Sequence, residues 1–108
     1  MAKREYRTFD QVEEDYYRQH PEELDTYLET CFEEYAHDGC TAALLASLRM
    51  AARVKGVSAT ADAAGISRKG LQKALSEQGN PRFENVNAIL HALGYRLAAQ
   101  KLEPQHLG

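Results

Sequence analysis

Apolar residues recur along most of the chain at spacings of three and four, which is the pattern of amphipathic helices. One such stripe occupies residues 20–38 and another occupies residues 80–94. Each starts beside a proline, which suits the first helical position, and stops beside a glycine. A third stripe occupies residues 40–56, whereas the period of residues 95–100 fits either a helical extension or a short strand. The pattern predicts an almost entirely helical chain.

A shorter helix is predicted ahead of these stripes, with Asp10 as its cap and an end near Arg18. Its apolar side consists of Val12 and Tyr16, with Phe9 as a further member. The next helix carries an aromatic and aliphatic stripe along its length, and such a stripe is more often core than binding surface. We therefore expect the second helix to pack into the interior.

Residues 61–77 carry a different signal, a short helix, a turn and a second helix. Gly65 lies where the first helix must stop and reverse, and Ser67 can cap the second helix, which extends to about residue 77. Leu71 and Leu75 form its inner face. The other side carries the polar residues Arg68, Lys69, Gln72 and Lys73. This pattern favours a helix-turn-helix whose second helix enters a DNA major groove, and the alternative is a helical corner in an unrelated small protein.

The charge of the chain is divided unevenly along its length. The net charge of the 108 residues is −3. Residues 1–40 hold four basic and twelve acidic side chains, a net charge of −8, whereas residues 41–101 hold nine basic and three acidic ones, a net charge of +6. The cationic part contains the predicted helix-turn-helix, so local charge favours phosphate binding although the whole chain is acidic.

Several other classes of protein are disfavoured by the sequence. No apolar run approaches the roughly 20 residues of a membrane span, and the charged N-terminus does not resemble a signal peptide. Two cysteines make no disulfide framework, so we expect a cytoplasmic protein. A metal site from Cys31, His37, Cys40 and His20 is disfavoured because paired zinc-ligand spacing is lacking. No phosphate loop or nucleophile motif is present, so neither an enzyme nor a cofactor is expected.

The run from Ser67 to Pro81, Ser-Arg-x-Gly-Leu-x-Lys-Ala-Leu-Ser-Glu-x-Gly-Asn-Pro, resembles the addiction-module antidote proteins. The resemblance covers roughly residues 40–98. More broadly, the same order of helices resembles the lambda-repressor-like (Cro, Xre) helix-turn-helix class. In other repressors of that class a glutamine often begins the first motif helix, whereas Ala59 stands at about that place here.

This resemblance implies an all-α, lambda-repressor-like helix-turn-helix bundle with an N-terminal helical extension. The expected organisation is an acidic helical extension at residues 1–38, a DNA-binding domain at residues 39–101 and a tail at residues 102–108. The resemblance also implies an antitoxin that blocks a RelE/ParE-like toxin and represses its own promoter. Such a toxin is a small protein encoded beside the antitoxin, and it is typically basic if it handles RNA.

Side-chain chemistry suggests how the second motif helix contacts operator DNA. Arg68 and Lys69 in its first turn match guanine O6 and N7, and Gln72 matches adenine. Lys73 lies farther along, where phosphate is the expected partner. Gly70 lacks a side chain, which permits close insertion of the helix, and a crowded packing contact is the alternative explanation.

Four more residues complete the predicted DNA-binding set. Ser58 and Ser67 are placed as caps of the two motif helices. Asn80 and Arg82 lie in the loop that follows, where lambda-like proteins often contact the DNA backbone. For Arg82 a solvated loop charge is an equally good explanation.

The helix-turn-helix and the acidic N-terminal segment also predict which partners this chain binds. One helix-turn-helix binds DNA weakly, so a homodimer on two half-sites about 34 Å apart is expected. The acidic N-terminal segment suits a basic toxin, and a merely solvated helix face is the alternative. Two other functions also remain open, a stand-alone Xre-type repressor and a protein-interaction module that does not bind DNA.

Overall fold

The computed structural model describes residues 8–103, which form six helices joined by short turns. None of these residues is in a strand. The predicted all-helical class is therefore confirmed for this part of the chain. The helices are α1 (Phe9–Gln19), α2 (Pro21–Asp38), α3 (Thr41–Lys55), α4 (Val57–Ala64), α5 (Arg68–Ala74) and α6 (Phe83–Leu93).

The ends of α2 and α3 lie where the sequence predicts them. Pro21 occupies the first turn of α2, and the amide of Gly39 closes its end by donating to the Tyr35 carbonyl at 2.7 Å. α3 follows at once from Cys40 and ends before Gly56. These two helices pack against each other, and α1 packs mainly on α3.

One hydrophobic core joins the N-terminal helices to the rest of the chain. Leu24 and Leu28 of α2 are fully buried in the same cluster as the apolar faces of α3, α4, α5 and α6. α6 makes its most extensive packing against α4. The buried apolar residues are Leu24, Leu28, Leu45, Leu48, Met50, Ala51, Ala52, Ala61, Leu71, Leu75, Ile89, Leu90 and Leu93.

α1 differs from its prediction at its start, and its orientation was not predicted. Its cap is Thr8 rather than Asp10, because the Thr8 hydroxyl accepts from the Gln11 amide and the Gln11 side chain accepts from the Thr8 amide. The apolar side of the helix faces solvent. Glu14 is buried instead, where its carboxylate accepts a hydrogen bond from the Arg53 guanidinium. The rotation of α1 is therefore set by an ion pair with α3.

The two helices that follow the turn are shorter than predicted. α5 ends at Ala74 rather than near residue 77, since the chain folds back so closely that a Cβ on Gly79 would lie 2.2 Å from the Ala74 carbonyl oxygen. α6 begins at Phe83, with Arg82 at the cap position. Asn80 and the proline after it thus belong to the connecting loop and not to the start of α6.

Residues 95–100 form no strand, so that possibility is wrong for this chain. A strand needs a neighbouring strand to pair with, and none of the described residues is in one. The segment does not extend the last helix either, because α6 ends at Leu93. Instead, Tyr95 and Leu97 pack against the core, and the Tyr95 hydroxyl donates to the Asp25 carboxylate of α2. Lys55 Nζ donates to the Leu93 carbonyl at the end of α6.

Residues 8–103 lack both a membrane-spanning helix and a cluster of metal ligands. No helix there is both long and apolar enough to cross a membrane. The same residues contain no group of three or more histidine, cysteine or carboxylate side chains placed to hold a metal ion.

Candidate nucleic-acid interface

The turn between α4 and α5 is fixed by glycine and serine chemistry. Gly65 adopts the left-handed conformation (φ 76°), and its amide donates to the Asp62 carbonyl at 3.2 Å. Ile66 follows, half-buried, with its side chain against the core. Ser67 then caps α5 as predicted, because its hydroxyl accepts from the Gly70 amide at 2.9 Å. The turn therefore sets where α5 begins and in which direction it points.

One side of α5 is anchored and the other is open. Leu71 and Leu75 are 1% and 2% exposed, respectively, so the inner side of the helix is firmly in the core. At 100° per residue, the remaining polar positions lie together on the outer side. These exposed residues are Arg68, Lys69, Gln72 and Lys73. The short helix thus presents three cations and one amide to solvent.

The first residue of α5 is linked to the start of α4. Arg68 Nη1 donates to the Ser58 hydroxyl at 3.2 Å. Ser58 was predicted to cap α4, but Gly56 occupies the cap position and Ser58 is the second residue of the helix. Ser58 therefore restrains the Arg68 guanidinium. Ala59, the next residue, is also exposed; it stands at about the place where many lambda-like repressors have a glutamine.

Gly70 is exposed, and the nearest neighbour of an added Cβ lies in the helix's own cap. A Cβ at this position would lie 3.0 Å from Ser67 Oγ. The core-packing explanation for this glycine is therefore not supported. The cap geometry therefore disfavours a side chain here to the extent that the Ser67 hydroxyl cannot shift.

The loop after α5 places two more predicted residues at the surface. Asn80 and Arg82 are both exposed. The Arg82 carbonyl accepts from the Val86 amide at 3.0 Å, so its backbone is fixed by the first turn of α6. On the other side of the loop, the Arg49 guanidinium donates to the Leu75 carbonyl, which ties the end of α5 to α3. All nine predicted DNA-binding residues are exposed.

Sequence reasoning missed the polar contacts that hold this region together. Arg49, Arg53 and Lys55 lie off the apolar stripe of α3, and each donates to a group far away in sequence. Arg49 and Arg53 also line a cleft of about 190 Å³ that reaches Gln72 on α5. Their spacing on one side of α3 was visible in the sequence, but their partners, 26 to 39 residues away, were not.

Comparison with known proteins gives a family match over most of the chain. Residues 5–101 match the sequence family described as "probable addiction module antidote protein". A curated protein of Haemophilus influenzae, named only "Uncharacterized protein", is 43% identical over 58 residues. These residues are 54% of this chain and 60% of that protein, so the match spans about three fifths of the relative's length. No solved structure matches the chain.

Proposed function

Because the chain belongs to the family of probable addiction module antidote proteins, we propose that it is the antitoxin of a type II toxin-antitoxin pair. In this proposal it is a cytoplasmic, sequence-specific DNA-binding protein without enzymatic activity. It represses its own promoter and neutralises a RelE/ParE-like toxin. α4 and α5 are the helix-turn-helix of a lambda-repressor-like bundle, and α5 is the recognition helix.

The observation that carries the DNA-binding part is the outer side of α5. A recognition helix must be anchored by one face while the other stays exposed to solvent. α5 meets this requirement, because Leu71 is buried and the polar side is exposed. The Ser58 hydroxyl holds Arg68 at the edge of that side, which reduces the rotamer entropy that Arg68 loses on binding a base.

Each exposed side chain of α5 has a proposed role. Arg68 and Lys69 read guanine edges, Gln72 reads adenine, and Lys73 contacts phosphate. Asn80 and Arg82 contact the DNA backbone from the following loop. The protein acts as a homodimer on half-sites about 34 Å apart, since one short helix contacts too few bases to select an operator.

A test of this proposal is operator binding by the full chain and single alanine variants, measured by fluorescence anisotropy on the DNA upstream of its reading frame. Arg68→Ala should weaken specific binding by about 1–3 kcal/mol and relax selection at one base pair. Lys73→Ala should weaken binding to all sequences alike and reduce the salt slope by about one. Lys101→Ala is the control, because this lysine is also exposed but lies outside the proposed interface.

Salt dependence separates the proposed function from a protein-interaction module. Phosphate contacts make log affinity fall linearly with log salt, at about −0.9 per phosphate neutralised. An affinity that is flat with salt, or equal binding by wild type and Arg68→Ala, would contradict the DNA-binding role. The antitoxin part is tested separately, by binding to the product of the adjacent reading frame. A stand-alone repressor would bind its operator but not that product.

A further inference from the structure

α1 carries an apolar surface that faces solvent and not the core. Phe9, Val12 and Tyr16 are 75%, 50% and 43% exposed, respectively. Their spacing of three and four residues puts them along one side of the helix. We call these three residues the α1 stripe. Apolar residues at helical spacing normally face the core, so their exposure together is informative.

Specific contacts on the opposite side of the helix keep the α1 stripe outward. Glu14 is buried and accepts a hydrogen bond from the Arg53 guanidinium of α3. Arg18 Nη2 donates to the Arg53 carbonyl at 3.1 Å. Tyr17 adds an aromatic contact with Tyr27 of α2, at 5.3 Å between ring centroids. The helix could bury the stripe only by breaking these contacts.

Two parts of the α1 stripe are held in place before any partner arrives, the backbone of its first turn and the Tyr16 ring. The capping box of Thr8 fixes the first turn, where Phe9 lies. The Tyr16 ring stacks on His20 at 4.2 Å between centroids, and its hydroxyl donates to Glu23 Oε1 at 2.7 Å. A rigid aromatic surface loses little conformational entropy on binding, which is typical of side chains that dominate protein interfaces.

The α1 stripe belongs to the acidic part of the chain, and Tyr16 of the stripe contacts the Glu23 carboxylate directly, which favours a basic partner. Residues 1–40 have a net charge of −8. A second copy placed stripe against stripe would bring two such segments together, and like charges suppress that pairing. A basic protein surface with an apolar groove gains from both the stripe and the exposed carboxylates of α1 and α2. The exposed carboxylates of α1 and α2 are Asp10, Glu22, Glu23, Asp25, Glu29, Glu33, Glu34 and Asp38.

We propose that the α1 stripe is the docking surface for a basic protein partner. This inference rests on the proposed function, in which that partner is the toxin encoded beside the chain. The three apolar side chains supply the affinity, and the acidic surroundings supply orientation and a fast association rate. The surface is separate from the polar side of α5, so partner and DNA engage different residues.

The test uses the full chain and the purified product of the adjacent reading frame, with binding measured by calorimetry. The double variant F9A/V12A should weaken binding about 100-fold, at about tenfold per side chain. The matched control is F83A/L102A, since Phe83 and Leu102 are 77% and 87% exposed but lie elsewhere. The control should bind the product like wild type, and F9A/V12A should keep its operator affinity within about twofold.

Each outcome supports or overturns the inference. Equal binding by F9A/V12A and wild type would overturn the docking surface but leave the proposed function intact. A wild-type chain that does not bind the product at all would overturn the antitoxin role and this inference with it. A dimer in sedimentation equilibrium that F9A/V12A converts to monomer, while F83A/L102A does not, would assign the stripe to a second copy instead. Loss of binding by F9A/V12A alone, with the dimer unchanged, supports the proposal.

Discussion

Ser67 and Gly70 act as one unit at the start of α5. The serine hydroxyl accepts from the glycine amide, and the same oxygen lies 3.0 Å from where a Cβ on Gly70 would stand. Glycine in a helix costs up to about 1 kcal/mol relative to alanine, and a serine cap is worth about the same. The two effects therefore oppose each other when Gly70 is replaced.

A double-mutant cycle tests this coupling. In the wild-type background, Gly70→Ala should change the free energy of unfolding by less than about 0.5 kcal/mol, because better helix propensity is offset by displacement of the Ser67 hydroxyl. In the Ser67→Ala background, the same change should stabilise the protein by about 0.5–1 kcal/mol. Urea denaturation measures both values. Identical effects in the two backgrounds would show that the hydroxyl and Gly70 are not coupled.

At the scale of helices, α1 shows that a polar contact can override an apolar pattern. The α1 stripe fits the usual signature of a buried face, yet the buried position is Glu14. Glu14 and Arg53 form a close ion pair with side-chain exposures of 10% and 34%. A largely buried carboxylate is stable only when it is paired and hydrogen-bonded, so this contact determines the rotation of the helix.

Replacing the polar residue Glu14 of α1 should therefore cost more stability than replacing the apolar residue Val12, the opposite of what hydrophobicity predicts. Glu14→Ala should cost about 2 kcal/mol, because the Arg53 guanidinium loses its nearest charged partner and keeps the more distant Asp10. Val12→Ala should stay within about 0.5 kcal/mol, because the side chain is half exposed. Glu33→Ala is the charge control, since that glutamate is exposed on α2 and should change little. A larger cost for Val12→Ala than for Glu14→Ala would contradict this account of α1.

The difference between local chemistry and contacts between distant residues explains how much of the structure the sequence predicts. The ends of α2 and the cap of α5 follow from local chemistry at Pro21, Gly39 and Ser67, and the structure confirms them. The early end of α5 does not follow, because it depends on the close approach of Gly79 to the helix end. The rotation of α1 depends on Arg53, 39 residues from Glu14. Contacts between distant residues leave no periodic signal in a single chain.

The candidate interface shows the same limit on a smaller scale. The exposed side of α5 is a local property, and its period predicts it from the sequence. The bond from Arg68 to Ser58 depends on how α4 and α5 cross, so it appears only in the structure. The α1 stripe was visible as three apolar residues, but its orientation toward solvent was not.

For the whole molecule, the acidic and cationic segments share one core. Leu24 and Leu28 of the acidic segment lie in the same buried cluster as the apolar face of α5. A fragment that starts after α2 would expose that cluster to water, at about 1.5–3 kcal/mol for each large side chain uncovered. Substitutions on the surface of the full chain therefore separate the two proposed binding functions better than truncation does.

The segment after α6 closes this core through Tyr95. Its hydroxyl donates to Asp25 of α2, 70 residues earlier in the chain. Its ring lies 5.3 Å from Lys55 Nζ, which also binds the end of α6. Burial, and then the hydrogen bond to Asp25, raise the pKa of the Tyr95 hydroxyl above its ordinary value of 10. Burial likewise raises the pKa of Tyr27 on α2.

These raised pKa values predict a loss of stability in alkali. Below pH 10 the Tyr95 phenol keeps its proton in both states, so its contribution is fully present. As the pH rises further, the unfolded chain loses that proton first, and the free energy of unfolding falls. Tyr95→Phe should cost about 1 kcal/mol at about pH 8, through the lost hydrogen bond, and should show a smaller fall between about pH 8 and pH 11. Urea denaturation at the two pH values measures both effects.

The control for this prediction is Tyr35→Phe, since Tyr35 is exposed and should leave the alkaline fall as steep as in wild type. Tyr27 keeps its raised pKa in the Tyr95→Phe variant, so the fall should be reduced and not abolished. An unchanged slope in Tyr95→Phe would mean that the Tyr95 proton does not contribute to the link with Asp25. A reduced slope would show that the Tyr95 hydroxyl contributes to the contact between the C-terminal segment and α2.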